Sequence, residues 1–126
     1  YSGVIAIFAN LLAQGKVPTI FGDGLQTRDF TYVSDVVDCL MLAAGADGVS
    51  GEVFNVGTGV PTSLLDLVSA LNRALGTKLT PRHADPRQGD IRHSRADISR
   101  TSAKLGYSPR VAFEDGLART LAWLRS

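Results

Sequence analysis

The sequence predicts an α/β fold in which helices outnumber a few short strands. Apolar residues recur at helical spacing in four separate stretches, and two short apolar runs at residues 19–21 and 53–56 have the length of β-strands. The chain has 126 residues, of which 44% are hydrophobic and 20% charged, so it can bury one core. We therefore expect a globular chain with at most one domain over residues 1–126.

The first predicted elements are a helix, a strand and a second helix. The apolar pattern from Val4 to Leu12 predicts the first helix, which a glycine and a proline end. Thr19–Phe21 is predicted as a short strand that leads into a glycine turn. Ser34 is a suitable N-cap for the second helix, with Asp35 in its first turn, and this helix is expected to end near Gly45. Its apolar face comprises Val36, Val37, Leu40, Met41 and Ala44.

The middle of the chain combines a compact apolar run with a third helix. Val53–Val56 is predicted as a strand. Ser63, with Asp66 three residues later, resembles a capping box that opens a helix, and Gly76 is well placed as its C-terminal cap. The leucine and valine stripe between these residues predicts an amphipathic helix.

The last third of the chain begins with a loop rich in proline, arginine, histidine and aspartate. We expect residues 80–95 to be irregular, and a loop of this length in a compact domain is typical of a binding loop. A short helix is predicted between Asp97 and Gly106, and a last helix from about Glu114. Because Ala112 stands where an N-cap hydroxyl would be, acidic residues in the first turn are expected to stabilise the last helix through its dipole.

Charge, hydropathy and cysteine content argue against several classes of protein. Thirteen basic and twelve acidic residues leave a net charge of +1, and the arginines are scattered, which argues against nucleic-acid binding. The apolar run from Val4 to Phe8 is too short to span a membrane, and no charged segment precedes it as in a secretory signal. Cys39 is the only cysteine and falls in an apolar run, so we expect a buried thiol and a cytoplasmic protein. Because the sequence starts at Tyr1 without a methionine, we expect it to begin within a longer protein.

No metal site and no catalytic residue is predicted. His83 and His93 lie ten residues apart with no carboxylate at metal spacing, which argues against zinc. Residues from Val53 to Gly59 imitate the start of a dinucleotide-binding unit, but Thr62 stands at the third glycine position and no acidic residue ends a second strand about twenty residues later. A tight turn is therefore favoured over a phosphate loop.

Two glycine-containing loops carry the candidate binding residues. In the first, Phe21 would line a base and Arg28 would grip a phosphate, but a hairpin turn with Phe21 in the core and Arg28 paired to Asp29 fits this loop equally well. The second loop shifts the balance toward binding, because Arg87 can make a bidentate contact with phosphate oxygens and Asp90 can accept hydrogen bonds from sugar hydroxyls. Together the loops point to a pocket for a diphosphate and the polar face of a nucleotide.

A set of five motifs covers nearly the whole chain. They are Phe21-Gly-Asp-Gly-x-Gln-x-Arg-Asp-Phe30, Tyr32-Val-x-Asp-Val-Val37, Phe54-Asn-Val-Gly-x-Gly59, Arg87-x-Gly-Asp-x-Arg92, and Ala96-Asp97 before Leu105-Gly-Tyr-x-Pro109. As a set they resemble the C-terminal part of the extended short-chain dehydrogenase/reductase family, the NAD-dependent epimerases and dehydratases of nucleotide sugars. The run from residue 87 to 94 looks most like UDP-hexose 4-epimerases.

The resemblance implies a role for each candidate residue. It implies that Phe21 and its backbone neighbours face the uracil, that Arg28 and Arg87 hold the diphosphate, that Asp90 contacts ribose hydroxyls, and that Val4 touches the nucleotide from the first helix. In a whole enzyme of this family, NAD takes a hydride from C4 of the sugar beside a tyrosine and lysine pair. No tyrosine of this chain has a lysine four residues later, so neither catalytic nor cofactor-binding residues are expected here.

The resemblance therefore predicts a Rossmann-type α/β fragment, the substrate-binding part of a UDP-sugar 4-epimerase that acts with NAD. It further implies a homodimer for the full-length enzyme, while the fragment is expected to associate with itself through an unpaired strand at residues 53–56. Two alternatives stay open: a dehydratase or decarboxylase of the same family, and a non-catalytic binding or oligomerisation module.

Overall fold

The computed structural model describes residues 3–126 and shows a mixed α/β fold, as predicted, with five helices and four short strands in that range. No helix in this range is long and apolar enough to cross a bilayer. The helices are α1 (Val4–Ala13), α2 (Val33–Gly45), α3 (Leu64–Leu75), α4 (Ser99–Leu105) and α5 (Phe113–Leu124). The strands are β1 (Thr19–Phe21), β2 (Thr27–Arg28), β3 (Thr62–Ser63) and β4 (Arg82–Ala84).

The strands form two small ladders that bring the two glycine loops together. β1 runs parallel to β4, with Thr19 opposite Arg82 and Phe21 opposite Ala84. β2 runs antiparallel to β3, and Thr27 of β2 also forms an isolated parallel bridge with His93. Because the strands of a parallel pair end at the same edge, the loops that follow β1 and β4 emerge side by side. The predicted irregular loop at 80–95 thus contains a short strand, because the backbone of three exposed residues pairs with β1.

The main core lies between α1, α3 and α5, with β1 at its centre. Leu12, Ile20, Leu67 and Leu71 are completely buried there. The predicted capping box of α3 is confirmed at its N-cap, since Ser63 Oγ accepts a hydrogen bond from the Asp66 amide at 3.0 Å. The predicted C-terminal glycine of α3 is also confirmed by its left-handed backbone, with φ of 68°.

The start of α2 differs from the prediction. Tyr32 rather than Ser34 is the N-cap residue, and no side chain caps the helix. Asp35 lies in the first turn as expected, but it is 1% exposed and accepts hydrogen bonds from the amides of Arg110 and Val111 at 3.0 and 3.2 Å. The carboxylate therefore satisfies a neighbouring loop rather than the end of its own helix.

The predicted apolar face of α2 points away from the rest of the described chain. Leu40 and Met41 are 63% and 70% exposed. The opposite side of α2 packs instead, because buried Cys39 meets Leu105 and Tyr107 in a second, smaller core with α4. The cysteine is buried as expected, while the apolar periodicity alone did not identify the packed face.

No β-ladder forms at Val53–Val56 in the described chain, and its role as a strand that is unpaired in the fragment stays a prediction. Side chains take up its carbonyl groups instead: Arg100 donates to the Val53 carbonyl at 2.9 Å, and Thr101 donates to the Asn55 carbonyl at 2.6 Å. Phe54 and Val56 contribute to the second core. Within the described chain, these two carbonyl groups are therefore bonded to side chains and not to a neighbouring strand.

Candidate functional site

A cavity of about 700 Å³ lies between α1 and the two glycine loops. All five residues that sequence analysis singled out, Val4, Phe21, Arg28, Arg87 and Asp90, line this cavity. Much of the remaining wall is apolar and comes from α1, including Ile7, Phe8 and Leu11. An apolar wall opposite a few charged groups, in a cavity of this size, is typical of a small-molecule binding site.

The two loops are fastened to each other near the cavity. Arg92 holds Asp23 through two parallel contacts of 2.7 and 2.9 Å, and this arginine lowers the pKa of Asp23 to about 2. Thr27 exchanges backbone hydrogen bonds with Arg92 and Ser94, and its hydroxyl lies 3.0 Å from His93 Nδ1. The second loop is therefore held in place directly after Asp90, at residues 92–94.

Arg28 pairs with the second loop. Its Nη2 donates to Asp90 Oδ1 at 2.8 Å, and its Nη1 donates to the carbonyls of Thr27 and Ile91 at 2.7 Å each. The pair of Arg28 with Asp29, which the sequence left open, does not form. Within the described chain, Nε and the second hydrogen of Nη2 have no partner, so Arg28 keeps two donors for a ligand.

Arg87 has a different environment. Its guanidinium carbon lies 3.9 Å from the centre of the Phe21 ring, as in a cation–π contact, and no ion pair involves it in the described chain. Phe21 is half-buried and lines the cavity, so the alternative in which it belongs to the core is not what the structure shows. Two arginines and one aspartate line the cavity, so its net charge is +1. Asp90 pairs with Arg28, whereas no carboxylate of the described residues pairs with Arg87.

Gln26 is a site residue that sequence reasoning missed. Its side chain is 5% exposed, and its Nε2 donates to the Phe21 carbonyl at 2.9 Å and to Asp90 Oδ2 at 3.4 Å. The only signal in the sequence was its place inside the first motif, between the glycine turn and Arg28. A glutamine in a polar loop is ordinarily exposed, so nothing local indicated burial.

The turn at Gly57–Gly59 is a structural brace. The amides of Thr58 and Gly59 donate to the Asp29 carboxylate at 3.0 and 2.9 Å, and the Ala96 amide donates to it at 3.2 Å. Partial burial raises the pKa of Asp29, but the hydrogen bond from the Thr58 hydroxyl and those from the amides outweigh it, and the pKa lies below its ordinary value. A Cβ at Gly57 would lie 2.7 Å from Asp29 Oδ2, so only glycine permits this approach.

The Gly57–Gly59 turn does not act as a phosphate loop, because the amides of Thr58 and Gly59 already donate to the Asp29 carboxylate. Tyr107 adds to it: its hydroxyl donates to the Gly57 carbonyl at 2.8 Å, and burial, followed by the nearby Asp35, raises its pKa to about 12. A phenol in this state does not serve as a base at neutral pH. In residues 3–126 no three His, Cys, Asp or Glu side chains are placed to hold a metal ion.

Comparison with known proteins finds one kind of relative. The model of the NAD dependent epimerase/dehydratase family matches residues 1–57. A UDP-glucose 4-epimerase of Mycolicibacterium smegmatis is 45% identical over 125 residues, which cover 99% of this chain and 40% of that protein.

Solved structures give the same result. The crystal structure of a Thermotoga maritima UDP-glucose 4-epimerase with UDP-glucose matches at a TM-score of 0.91 and 40% identity, over 98% of this chain and 40% of that one. A Bacillus cereus UDP-glucuronic acid 4-epimerase mutant in complex with UDP-4-deoxy-4-fluoro-glucuronic acid and NAD matches at 0.92 and 34%, with the same two coverages. Similar proteins also include dTDP-glucose 4,6-dehydratases. The chain thus spans about 40% of the length of these relatives, and its similarity is to proteins of the NAD dependent epimerase/dehydratase family.

Proposed function

We propose that this chain is the nucleotide-sugar-binding part of a longer NAD-dependent UDP-hexose 4-epimerase. The observation that carries the proposal is the single cavity that gathers Val4, Phe21, Arg28, Arg87 and Asp90. Relatives named as UDP-sugar epimerases support the choice of ligand. In this proposal the chain binds and orients the substrate, and the part of the longer protein outside residues 1–126 supplies the redox chemistry.

The diphosphate would bind to the two arginines. No carboxylate of the described residues neutralises Arg87, so its planar fork is available for a bidentate contact with phosphate oxygens. Arg28 offers its two remaining donors from a guanidinium that three protein oxygens hold in place. The net positive charge of the cavity favours an anionic ligand.

In this proposal the ribose of the nucleoside contacts Asp90, and its base contacts Phe21. Asp90 uses one lone pair of Oδ1 for Arg28 and one of Oδ2 for the longer contact with Gln26, and its remaining lone pairs can accept hydrogen bonds from the two ribose hydroxyls. Phe21 lies beside Arg87 at the wall of the cavity, which suits the edge of a flat pyrimidine. Val4, on α1, supplies an apolar contact across the cavity.

The described residues do not fit NAD, although the family acts with it. The one turn that imitates a dinucleotide loop donates its amides to Asp29. We therefore assign cofactor binding to the remainder of the longer protein and derive no step through it. The same holds for the catalytic base, because the sequence contains no tyrosine with a lysine four residues later.

The test uses the full-length product of the gene that encodes this chain. Calorimetric titration should show binding of UDP and of UDP-glucose, and incubation with UDP-glucose should yield UDP-galactose. A product lighter by one water would indicate the dehydratase alternative, and UDP binding without turnover would indicate a non-catalytic module. Absence of UDP binding would refute the proposed site. A homodimer in the cytoplasm remains part of the proposal, and light scattering tests the dimer.

A further inference from the structure

Gln26 connects the two loops that form the candidate site. Its side-chain amide donates to the backbone carbonyl of Phe21 in the first loop at 2.9 Å and, through a longer contact of 3.4 Å, to the carboxylate of Asp90 in the second. It also lines a smaller cavity of about 250 Å³ that shares Phe21, Arg87 and Asp90 with the larger one. One nitrogen atom therefore touches both loops at the point where the cavities meet.

The burial of this glutamine is unfavourable by itself. Its Oε1 is buried and has no hydrogen-bond partner in the described chain. An apolar side chain of the same volume, such as methionine, would avoid an unpaired acceptor at this position. The benefit of a glutamine must therefore come from its Nε2 donor, which is the only part of the amide that makes contacts.

Those contacts fix the direction of the Asp90 carboxylate. Arg28 holds Oδ1 at 2.8 Å, and Gln26 holds Oδ2 from the other side. A carboxylate bonded through both oxygens loses a contact when it rotates, so its free lone pairs point in a set direction. A group aligned before the ligand arrives costs less entropy on binding than one that must be ordered.

We propose that Gln26 is a positioning residue that orients Asp90 toward the ribose hydroxyls of the bound nucleotide. This inference rests on the proposed function, because it assigns Asp90 to the ribose. Gln26 acts through Asp90 and not on the diphosphate. Its removal should therefore affect only ligands that contain a ribose.

The experiment compares Gln26→Met and Gln26→Glu with wild type in the full-length gene product, with Gln14→Met as the matched control. Gln14 is exposed at the end of α1, and its side chain lines neither cavity. Affinities for UDP and for inorganic pyrophosphate are measured by calorimetry, and a melting curve accompanies each variant. Gln26→Met keeps the volume and removes the donor, whereas Gln26→Glu keeps the shape but places a second carboxyl group beside Asp90.

Gln26→Met should weaken UDP binding about tenfold, as expected for a lost hydrogen bond to a charged group, and leave pyrophosphate binding unchanged. Gln26→Glu should weaken UDP binding more, because two carboxylates repel each other. In an Asp90→Asn background, Gln26→Met should add little further loss, since the group that it orients has changed.

Three results would overturn the inference alone: UDP affinity within twofold of wild type in folded Gln26→Met, an equal loss for pyrophosphate, or fully additive losses in the double variant. Equal loss for both ligands would mean that Gln26 only stabilises the loops. Failure of the wild-type protein to bind UDP is a different outcome, because it overturns the proposed function and this inference with it.

Discussion

Replacement of Arg87 by alanine should weaken UDP binding by one to two decades and leave the fold intact. The guanidinium makes no ion pair in the described chain, and its cation–π contact with Phe21 at 3.9 Å lies at the surface of the cavity. Loss of one charge-assisted contact to phosphate costs about 1.5 to 3 kcal/mol, or roughly a factor of 10 to 150 in affinity. Little folding energy is lost with it, because exposed cation–π contacts contribute about 0.5 to 1 kcal/mol.

The contrast with Arg28 makes this prediction specific. Arg28→Ala removes three protein contacts together with the ligand contact, and it leaves Asp90 without its counterion beside the diphosphate. It should therefore lower the melting temperature and weaken UDP binding more than Arg87→Ala does. Arg87→Lys should recover only part of the lost affinity, because an ammonium lacks the planar fork that binds two phosphate oxygens.

The assay is calorimetric titration of the full-length protein with UDP, next to a melting curve for each variant. Arg125→Ala is the matched control, since this exposed arginine lies at the end of α5 and lines no part of the cavity. UDP and UDP-glucose should lose affinity by similar factors, because both carry the diphosphate. Unchanged UDP affinity in a well-folded Arg87→Ala protein would falsify the assignment of this residue.

Three further predictions concern stability and activity. Ser63→Ala should lower the free energy of unfolding by about 1 kcal/mol in urea denaturation, because the Asp66 amide loses its cap. Since the pKa of Asp29 is lowered in the fold, its contribution to stability should be complete above its unfolded pKa of about 3.9 and disappear as pH falls through the folded value. Denaturation at several pH values should show this loss in wild type and not in Asp29→Asn. The 126-residue chain by itself should not convert UDP-glucose to UDP-galactose, which a coupled assay measures.

The helices with local signals were the most predictable part of the fold. α1 and α3 have apolar residues at helical spacing, and a serine cap and a left-handed glycine bound α3. The first helix begins and ends within about two residues of its predicted limits, and the last helix begins within about two residues of its predicted start, which is the normal precision of such signals. These features depend on neighbours in sequence, so the sequence is sufficient to predict them.

Features that depend on distant partners were not predictable. The strand at residues 82–84 has three exposed residues and no apolar alternation, and it exists because β1 lies beside it. Val53–Val56 has the composition of a strand but lacks a ladder in the described chain. The predicted N-cap of α2 was also misplaced, and Asp35 in its first turn accepts hydrogen bonds from a loop 75 residues away rather than from its own helix. In each case tertiary contacts override local preference.

At the candidate site, the sequence identified the lining residues but not their pairing. Arg28 has a carboxylate next to it in sequence, Asp29, and another 62 residues away, Asp90. Local reasoning favours the near one, but adjacent residues on a strand point to opposite faces. The bridge between Thr27 and His93 brings Asp90 to the face that Arg28 occupies, and Asp29 turns toward the Gly57–Gly59 turn. Pairing is thus decided by strand register.

The brace at Asp29 also explains how Arg28 keeps its position. A phosphate loop and this turn offer the same chemistry, since each presents backbone amides to an anion. In a phosphate loop the anion is a ligand, whereas here it is a carboxylate of the chain, held by the amides of Thr58, Gly59 and Ala96. Because that carboxylate follows Arg28 directly in sequence, the turn fixes the backbone from which the guanidinium extends. The glycine turn that imitates a cofactor-binding loop therefore stabilises the backbone next to Arg28, which is part of the proposed diphosphate site.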